Sequence, residues 1–397
     1  MQTATFDALR TPAGAALLAD ATAAYGREDE FALGTRLRRS AGPDLVAAAL
    51  TQARLRARAV DKFDPADAAR MFFTVDGYEQ ATRVAVARHR AARLAALLRP
   101  GAAVADLCCG IGGDLVELAR AGLTVTGVEA DPVTAAVAAA NVAALGLGGA
   151  ARVKHGDATA TDRTAYAAVV CDPARRGSRG RVFDPDAYRP PWSFALELLT
   201  ATACVKVAPG IPHDLLPGAV EAEWVSERGE VKEAALWSGG LARTGDDGVS
   251  VRRRATLLPS GATLTDLDDP GPSVRPLGGF LYEPDGAVIR AGLVTAAAAM
   301  VGGGLLDPSI AYVTADDAVG TPFARGYRVV ETLPYDVKAL RAYVRSRGIG
   351  ILTVKKRGVG VEPEKLRAAV RPSGDAAATF VVTRVAGKAT VIVADPL

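Results

Sequence analysis

Four short segments of this chain hold the residues best suited to chemistry. In order they are Asp106-Leu-Cys-Cys-Gly110-Ile-Gly112-Gly113-Asp114, Gly127-Val128-Glu129-Ala130-Asp131-Pro132, His155-Gly156-Asp157-Ala158 and Val170-Cys171-Asp172-Pro173-Ala174-Arg175. Glycine is required where backbone approaches a ligand closely or turns through positive φ, so the first segment could cradle a nucleotide-like cofactor. Glu129 follows Gly112 by 17 residues, about the separation at which an acid meets ribose hydroxyls in a dinucleotide-binding fold. A glycine triplet alone also fits a nicotinamide enzyme. The form Cys-Gly-Ile-Gly-Gly and the later Asp172-Pro173, which has no role in such an enzyme, disfavour that reading.

Each segment ends a short apolar run, which is what places it. Ala103–Leu107, Thr124–Glu129, Ala151–His155 and Ala167–Cys171 predict strands, with helices over Asp114–Ala121 and Pro132–Leu145. Such alternation predicts an α/β fold with a parallel sheet wound by helices on both faces. Ala203–Val207, a run around Trp224 and Val231–Trp237 complete it. The first 95 residues predict helices. Asp64-Pro65 reads as an N-cap with proline at the first helical position. Asp76 with Glu79 reads as a capping box opening one long helix, Tyr78–Leu98, stopped by Pro100-Gly101. Residues 246–320 read as a turn-rich connection carrying some strands. From about Thr321 the pattern is strand, helix (Val337–Arg347), strand (Gly350–Lys355), helix (Pro363–Val370) and a hairpin, Thr379–Val385 with Ala389–Ala394, turned by Gly387 and Lys388.

At the four strand ends the chain resembles the class I S-adenosylmethionine-dependent methyltransferases. The resemblance implies a Rossmann-like sheet with S-adenosyl-L-methionine as cofactor. It places the cofactor on Asp106, Cys108, Gly110, Gly112 and Gly113 of the loop, on Glu129 and Ala130 at the ribose, and on Asp157 and Ala158 at the adenine. Asp172, Pro173 and Arg175 then face the acceptor as catalytic residues. The loop form is most like RNA-modifying members of that family. Members that methylate exocyclic amines carry Asp/Asn-Pro-Pro and an aromatic residue; here Ala174 replaces the second proline and Arg175 the aromatic. An arginine can stack on a base as a planar cation or hold a phosphate.

Methylation at a base carbon usually needs a cysteine nucleophile that adds to the ring and is later eliminated. Cys171 and Cys204 lie in predicted strands, where a buried structural cysteine is the ordinary finding. Cys108 and Cys109 lack zinc-site spacing, and His89, His155 and His213 are scattered. No metal is expected.

Two basic features could hold an RNA backbone. One is the loop Arg175-Arg176-Gly177-Ser178-Arg179-Gly180-Arg181, which follows the acceptor tetrapeptide. The other is the C-terminal segment, where Ile351-Leu-Thr-Val-Lys355-Lys356-Arg357-Gly358-Val359 is similar to the strand and basic turn of THUMP-like domains, which deliver RNA to modifying enzymes. Lys355, Lys356 and Arg357 are its expected RNA contacts. Residues 322–397 contain fourteen basic and six acidic side chains, a charge of +8; the remaining 321 residues contain thirty-three and thirty-eight, or −5. The net +3 hides this split.

Composition bounds the remaining possibilities. With 397 residues, 49% hydrophobic and 23% charged, the chain suits a folded protein of two to three domains at roughly 150 residues each. Only nine lysines stand among the 47 basic residues, so arginine usage reflects compositional bias as well as function. Four cysteines form no disulfide framework. Met1–Thr11 has no signal-peptide core. The most apolar stretch, Ala291–Leu306, is interrupted by three glycines and falls short of the roughly 20 apolar residues of a membrane span. The expectation is a cytoplasmic protein with no membrane contact, its oligomeric state open. It comprises a helical N-terminal region (1–95), a methyltransferase domain (96–245), a connecting region (246–320) and a small α+β THUMP-like domain (321–397). The expected activity is methylation of a tRNA or rRNA base. A small-molecule or protein acceptor, or a catalytically silent RNA-binding adaptor, are the alternatives.

Overall fold

The computed structural model describes residues 2–175, 184 and 187–397. It separates into two compact units, the first reaching to Val220 and including Ala235–Arg243, the second comprising Glu221–Ala234 and Thr244–Leu397.

The first unit opens with helices α1 (Thr3–Arg10), α2 (Pro12–Ala24), α3 (Glu30–Leu37), α4 (Pro43–Ala59), α5 (Pro65–Ala68), α6 (Val75–Gln80) and α7 (Val84–Leu97). Then come β1 (Ala103–Leu107), α8 (Gly113–Arg120), β2 (Thr124–Glu129), α9 (Pro132–Ala144), β3 (Ala151–His155), β4 (Ala168–Cys171), β5 (Ala174–Arg175), β6 (Tyr188–Arg189), α10 (Trp192–Leu198) and β7 (Ala203–Val207). The strands β7-β4-β1-β2-β3 are adjacent in that order and run parallel. Register pairs Asp106 with Gly127, Leu107 with Cys171 and Glu129 with His155, so the expected strand ends lie together at the carboxyl end of the parallel strands. The order reverses at β1, and in open α/β sheets the crevice beyond the strand ends at such a point is where ligands bind.

The single helix expected over Tyr78–Leu98 is instead two. Thr74, not Asp76, caps α6 by accepting from the Gly77 N–H at 3.0 Å. Lys62 Nζ donates to the carbonyls of Tyr78 (2.7 Å), Glu79 (2.6 Å) and Ala81 (3.3 Å), groups that a continuing helix would bond itself. The Arg83 guanidinium donates to Asp61 O at 2.7 Å, and the Val84 N–H donates to Lys62 O at 2.8 Å. These tertiary bonds outweigh the local capping signal and turn the chain at Ala81–Arg83.

The N-terminal helices and the sheet region share a core. Phe6, Leu55, Phe63, Met71 and Phe73 pack with Ile111 of the glycine loop and Val137 of α9. Contact is tight: a Cβ on Gly77 would lie 2.4 Å from Ile111 Cγ2.

The second unit contains β8 (Glu221–Glu227), most of β9 (Glu230–Trp237), β10 (Arg253–Leu258), β11 (Ala262–Thr265), β12 (Phe280–Pro284), α11 (Gly286–Arg290), α12 (Val294–Met300), β13 (Gly304–Asp307) and β14 (Ile310–Ala315). It continues with β15 (Ala324–Pro334), α13 (Val337–Ser346), β16 (Ile349–Lys356), α14 (Pro363–Val370), β17 (Ala376–Val385) and β18 (Lys388–Pro396). Seven strands form one sheet in the order β13-β14-β12-β15-β18-β17-β16. The stretch read as a connection thus supplies three strands of the same sheet as the C-terminal segment. Leu340 and Val344 of α13, with Leu366 and Val370 of α14, cover Leu352, Phe380 and Val391 of that sheet. Among the described residues no helix is long and apolar enough to cross a membrane.

Candidate active site

The loop after β1 is bent by three consecutive alternating positions in the left-handed region, Cys108 (φ 62°), Gly110 (φ 56°) and Gly112 (φ 91°). A Cβ on Gly110 would meet nothing within 4 Å, so the missing side chain leaves open space over the loop. Gly127 serves the opposite purpose, since its Cβ would lie 2.4 Å from Leu115 Cδ1 and 2.9 Å from Cys109 Sγ. The loop can settle onto β2 only because that position is bare.

Glu129 at the end of β2 accepts from the Gly110 N–H at 3.0 Å and from the Asp131 N–H at 2.9 Å. Asp131 caps α9 by accepting from the Thr134 N–H at 2.7 Å. His155 donates through Nε2 to Ala130 O at 3.0 Å. After β3, Asp157 accepts from the N–H and the hydroxyl of Thr159, both at 2.8 Å, and these bonds hold its carboxyl below the ordinary range.

Beneath the loop lies a buried charge cluster. Arg90 Nε donates to Asp114 Oδ1 at 2.9 Å, and the Thr82 hydroxyl donates to Asp114 Oδ2 at 2.8 Å. Lys206 of β7 reaches Asp114 Oδ2 at 3.4 Å and bonds to Thr82 Oγ1 and Asp172 Oδ2. Lys206 and Asp114 are each only 7% exposed, and Arg90 1%. Burial works against the Asp114 carboxylate, yet Arg90, Lys206 and these hydrogen bonds hold it far below its ordinary value. Asp106 is the contrary case. Burial, reinforced by the neighbouring Asp114 and Asp172 carboxylates, pushes it well up, and its Oδ2 is buried without a partner.

A cleft of about 2070 Å³ opens over these strand ends, well beyond the roughly 300–1,000 Å³ of a typical small-ligand pocket. Of the residues expected at the cofactor, Asp106, Cys108, Gly110, Gly113, Glu129, Ala130, Asp157 and Ala158 line it, together with Asp172 and Pro173 of the acceptor tetrapeptide. Gly112 lies behind the loop as the N-cap of α8. Arg175 pairs through its backbone with Tyr188; the rest of the arginine loop, 176–181, lies outside the described residues. Gln80 and Thr82 also line the cleft, with Asp44, Thr51 and Arg54 of α4.

Sequence reading missed Lys206 and Arg90 as parts of the site, and it named Asp114 only as the last residue of the glycine segment. The one available signal was Lys206 itself, a charge inside the apolar run Ala203–Val207. Cys171 and Cys109 are poorly placed to act as nucleophiles, which must be thiolates. A hydrogen bond with Cys108 and burial push the Cys171 thiol up, and burial does the same to Cys109.

In the second unit Lys355 pairs with Glu283 at 2.5 Å. The Arg357 guanidinium lies 5.5 Å from the Tyr312 ring centre. Lys356 is exposed.

The residues present fit a cationic, adenosine-bearing cofactor: a partnerless buried carboxyl oxygen on Asp106, room over Gly110, and carboxylates at the ends of β2 and β3. Comparison with known proteins agrees. Residues 324–396 match the THUMP domain-like family, and residues 2–59 match a domain of unknown function, DUF8688. The chain is 38% identical over 321 residues to uncharacterised S-adenosylmethionine-dependent methyltransferases of Mycobacterium tuberculosis strains CDC 1551 / Oshkosh and ATCC 25618 / H37Rv, covering 79% of this chain and 84% of theirs. Its fold matches the crystal structure of a provisionally named methyltransferase from Porphyromonas gingivalis W83 with a TM-score of 0.75 at 22% identity, over 96% of this chain and 98% of that one. With relatives of that identity and coverage, the chain belongs to the S-adenosylmethionine-dependent methyltransferases, with a class I fold and a THUMP-like C-terminal domain.

Proposed function

We propose that this methyltransferase acts on RNA, at a nitrogen of a tRNA or rRNA base, with the basic C-terminal segment holding the RNA. The observation that carries the reading is the coincidence of the THUMP-like match over residues 324–396 with the +8 charge of residues 322–397 in a chain otherwise at −5. Arginine and lysine side chains facing phosphates supply affinity without sequence preference. A cleft larger than one cofactor needs leaves room for a base beside it.

Asp106, Cys108, Gly110, Gly112 and Gly113 would hold the methionine part of the cofactor, with the Asp106 carboxylate facing its ammonium. Glu129 and Ala130 would meet the ribose. Asp157 and Ala158 would meet the adenine. When bound, S-adenosylmethionine supplies a methyl group on a sulfonium and leaves as the thioether. Asp172 accepts the N–H of the acceptor nitrogen, turns its lone pair toward the methyl group, and takes the proton on its way to water once the N–C bond has formed. Pro173 forms the wall beside it, and Arg175 offers a planar cation to the base or a phosphate. Rate comes mainly from this positioning, because the methyl group is already activated.

The test is labelled-methyl transfer from S-adenosylmethionine to total RNA of a strain lacking the gene, followed by nucleoside mass spectrometry. The expected result is one methylated nucleoside, absent from that strain and restored by the enzyme but not by Asp172→Ala. Transfer to no RNA, or full activity in that variant, would overturn the reading.

A further inference from the structure

Lys206 is a buried cation in the middle of the site to which the reading above gives no part. An ammonium has three N–H donors and no acceptor. Oxygens from distant parts of the chain receive this one, among them Asp172 Oδ2, Asp114 Oδ2 and Thr82 Oγ1. A lysine so engaged is poorly placed to serve as a base.

Its effect falls on Asp172. The Asp172 N–H donates to Leu107 O at 3.2 Å, and Lys206 takes Oδ2, so main chain and side chain are both tied. No described residue bonds to Oδ1, and Asp172 lines the cleft with its side chain 39% exposed. The anchor is rigid in turn. Asp114 is fixed by Arg90, and Thr82 sits in the turn between α6 and α7, where the Lys62 hydrogen bonds hold the chain.

Resting on the RNA reading above, we propose that Lys206 is a positioning residue that locks Asp172 so that Oδ1 alone, an acceptor, faces the incoming base. Such a site takes a nitrogen that carries hydrogen, an exocyclic amine or a ring N–H. It repels a ring nitrogen that offers only a lone pair, because two acceptors would then face each other. Lys206 acts entirely through Asp172, and the buried ammonium is kept paired because a buried charge left without its partner is costly.

The experiment uses the full chain carrying Lys206→Met or Lys206→Arg, alone and with Asp172→Asn. Methyl transfer to RNA, calorimetric titration with S-adenosylhomocysteine and a crystal structure of the K206M variant are measured. K206M is expected to lose about 100-fold in kcat, the scale of a misplacement of about 1 Å, with KM and cofactor affinity unchanged. K206R recovers part of the loss. K206M costs nothing further when Asp172 is already Asn, and its crystal structure shows Asp172 turned from its present rotamer. The nucleoside formed carries the methyl on an N–H-bearing nitrogen. Wild-type kcat in folded K206M, a weakened cofactor affinity that accounts for the loss, or an additive effect with D172N would overturn the proposal. If K206M does not fold, Thr82→Val removes one of the lysine's oxygens without altering charge: kcat falls with cofactor affinity unchanged, and an unchanged kcat overturns the proposal. Absence of methyl transfer by the wild-type chain would refute the RNA reading instead. Lys206 is then judged by the Asp172 rotamer in the variant crystal, where an unmoved side chain overturns its role.

Discussion

The Gly110 N–H donates to Glu129 Oε2 at 3.0 Å, so the tip of the glycine loop hangs on the carboxylate that ends the neighbouring strand. The other oxygen accepts from Asp131 N–H at 2.9 Å, and each still has a lone pair to offer. Glu129→Gln would turn one of these oxygens into a donor facing an N–H. Hydrogen bonds to a charged group contribute about 1.5–3 kcal/mol, so cofactor affinity should fall roughly ten- to a hundredfold. Calorimetric titration of the folded variant with S-adenosylhomocysteine measures this directly.

Asp106 carries a raised carboxyl in a buried setting. The sign follows from linkage: a group more easily protonated folded than unfolded loses stability as pH rises above its unfolded value. Asp106→Asn should therefore melt higher than the wild type near neutral pH when no cofactor is present. The same variant should bind S-adenosylmethionine much more weakly, having no carboxylate to meet a cation. Melting curves with and without cofactor separate the two effects; a lower melting temperature without cofactor would refute the assignment.

Asp114 is depressed, and its sign is reversed. Its contribution is present above the ordinary carboxylate value of 3.8 and drains away as pH falls below that toward the folded value. Asp114→Ala leaves Arg90 and Lys206 buried without their shared partner, which costs about 3–5 kcal/mol. Urea unfolding at pH 7 should show that loss, and the difference from wild type should shrink in strong acid.

Lys355 and Lys356 are neighbours with unlike prospects, because Glu283 meets the first at 2.5 Å while the second is exposed. Lys356→Ala should weaken RNA binding and lower the slope of log K against log salt by about one. Lys355→Ala should change that slope little and instead reduce stability. Filter binding across a salt series distinguishes them. Removing residues 322–397 outright is a poorer test, since it strips four strands from a sheet that also contains β12–β14.

The strand ends were legible because each needs local signals only: an apolar run, then glycine or an acid. Ala103–Leu107, Thr124–Glu129 and Ala203–Val207 match the observed strands residue for residue. What stayed hidden depends on partners far along the chain. Lys62 breaks the helix expected over Tyr78–Leu98 through bonds to carbonyls 16 to 19 residues away. Lys206 meets Thr82 across 124 residues, and no spacing rule joins them. The turn-rich stretch before residue 320 was expected to carry some strands, but where β12–β14 lie stayed hidden because short antiparallel strands between glycines and prolines leave little periodicity.

The apolar cluster that joins Phe6, Leu55 and Phe73 to Ile111 and Val137 has a consequence for how this enzyme breathes. The amide hydrogens of the glycine loop lie over a core furnished partly by the first 75 residues. Their exchange with solvent deuterium should therefore wait on the same opening event that frees those helices, with matching protection in both regions. A fragment beginning near residue 96 would have a sheet without the floor of its own binding loop.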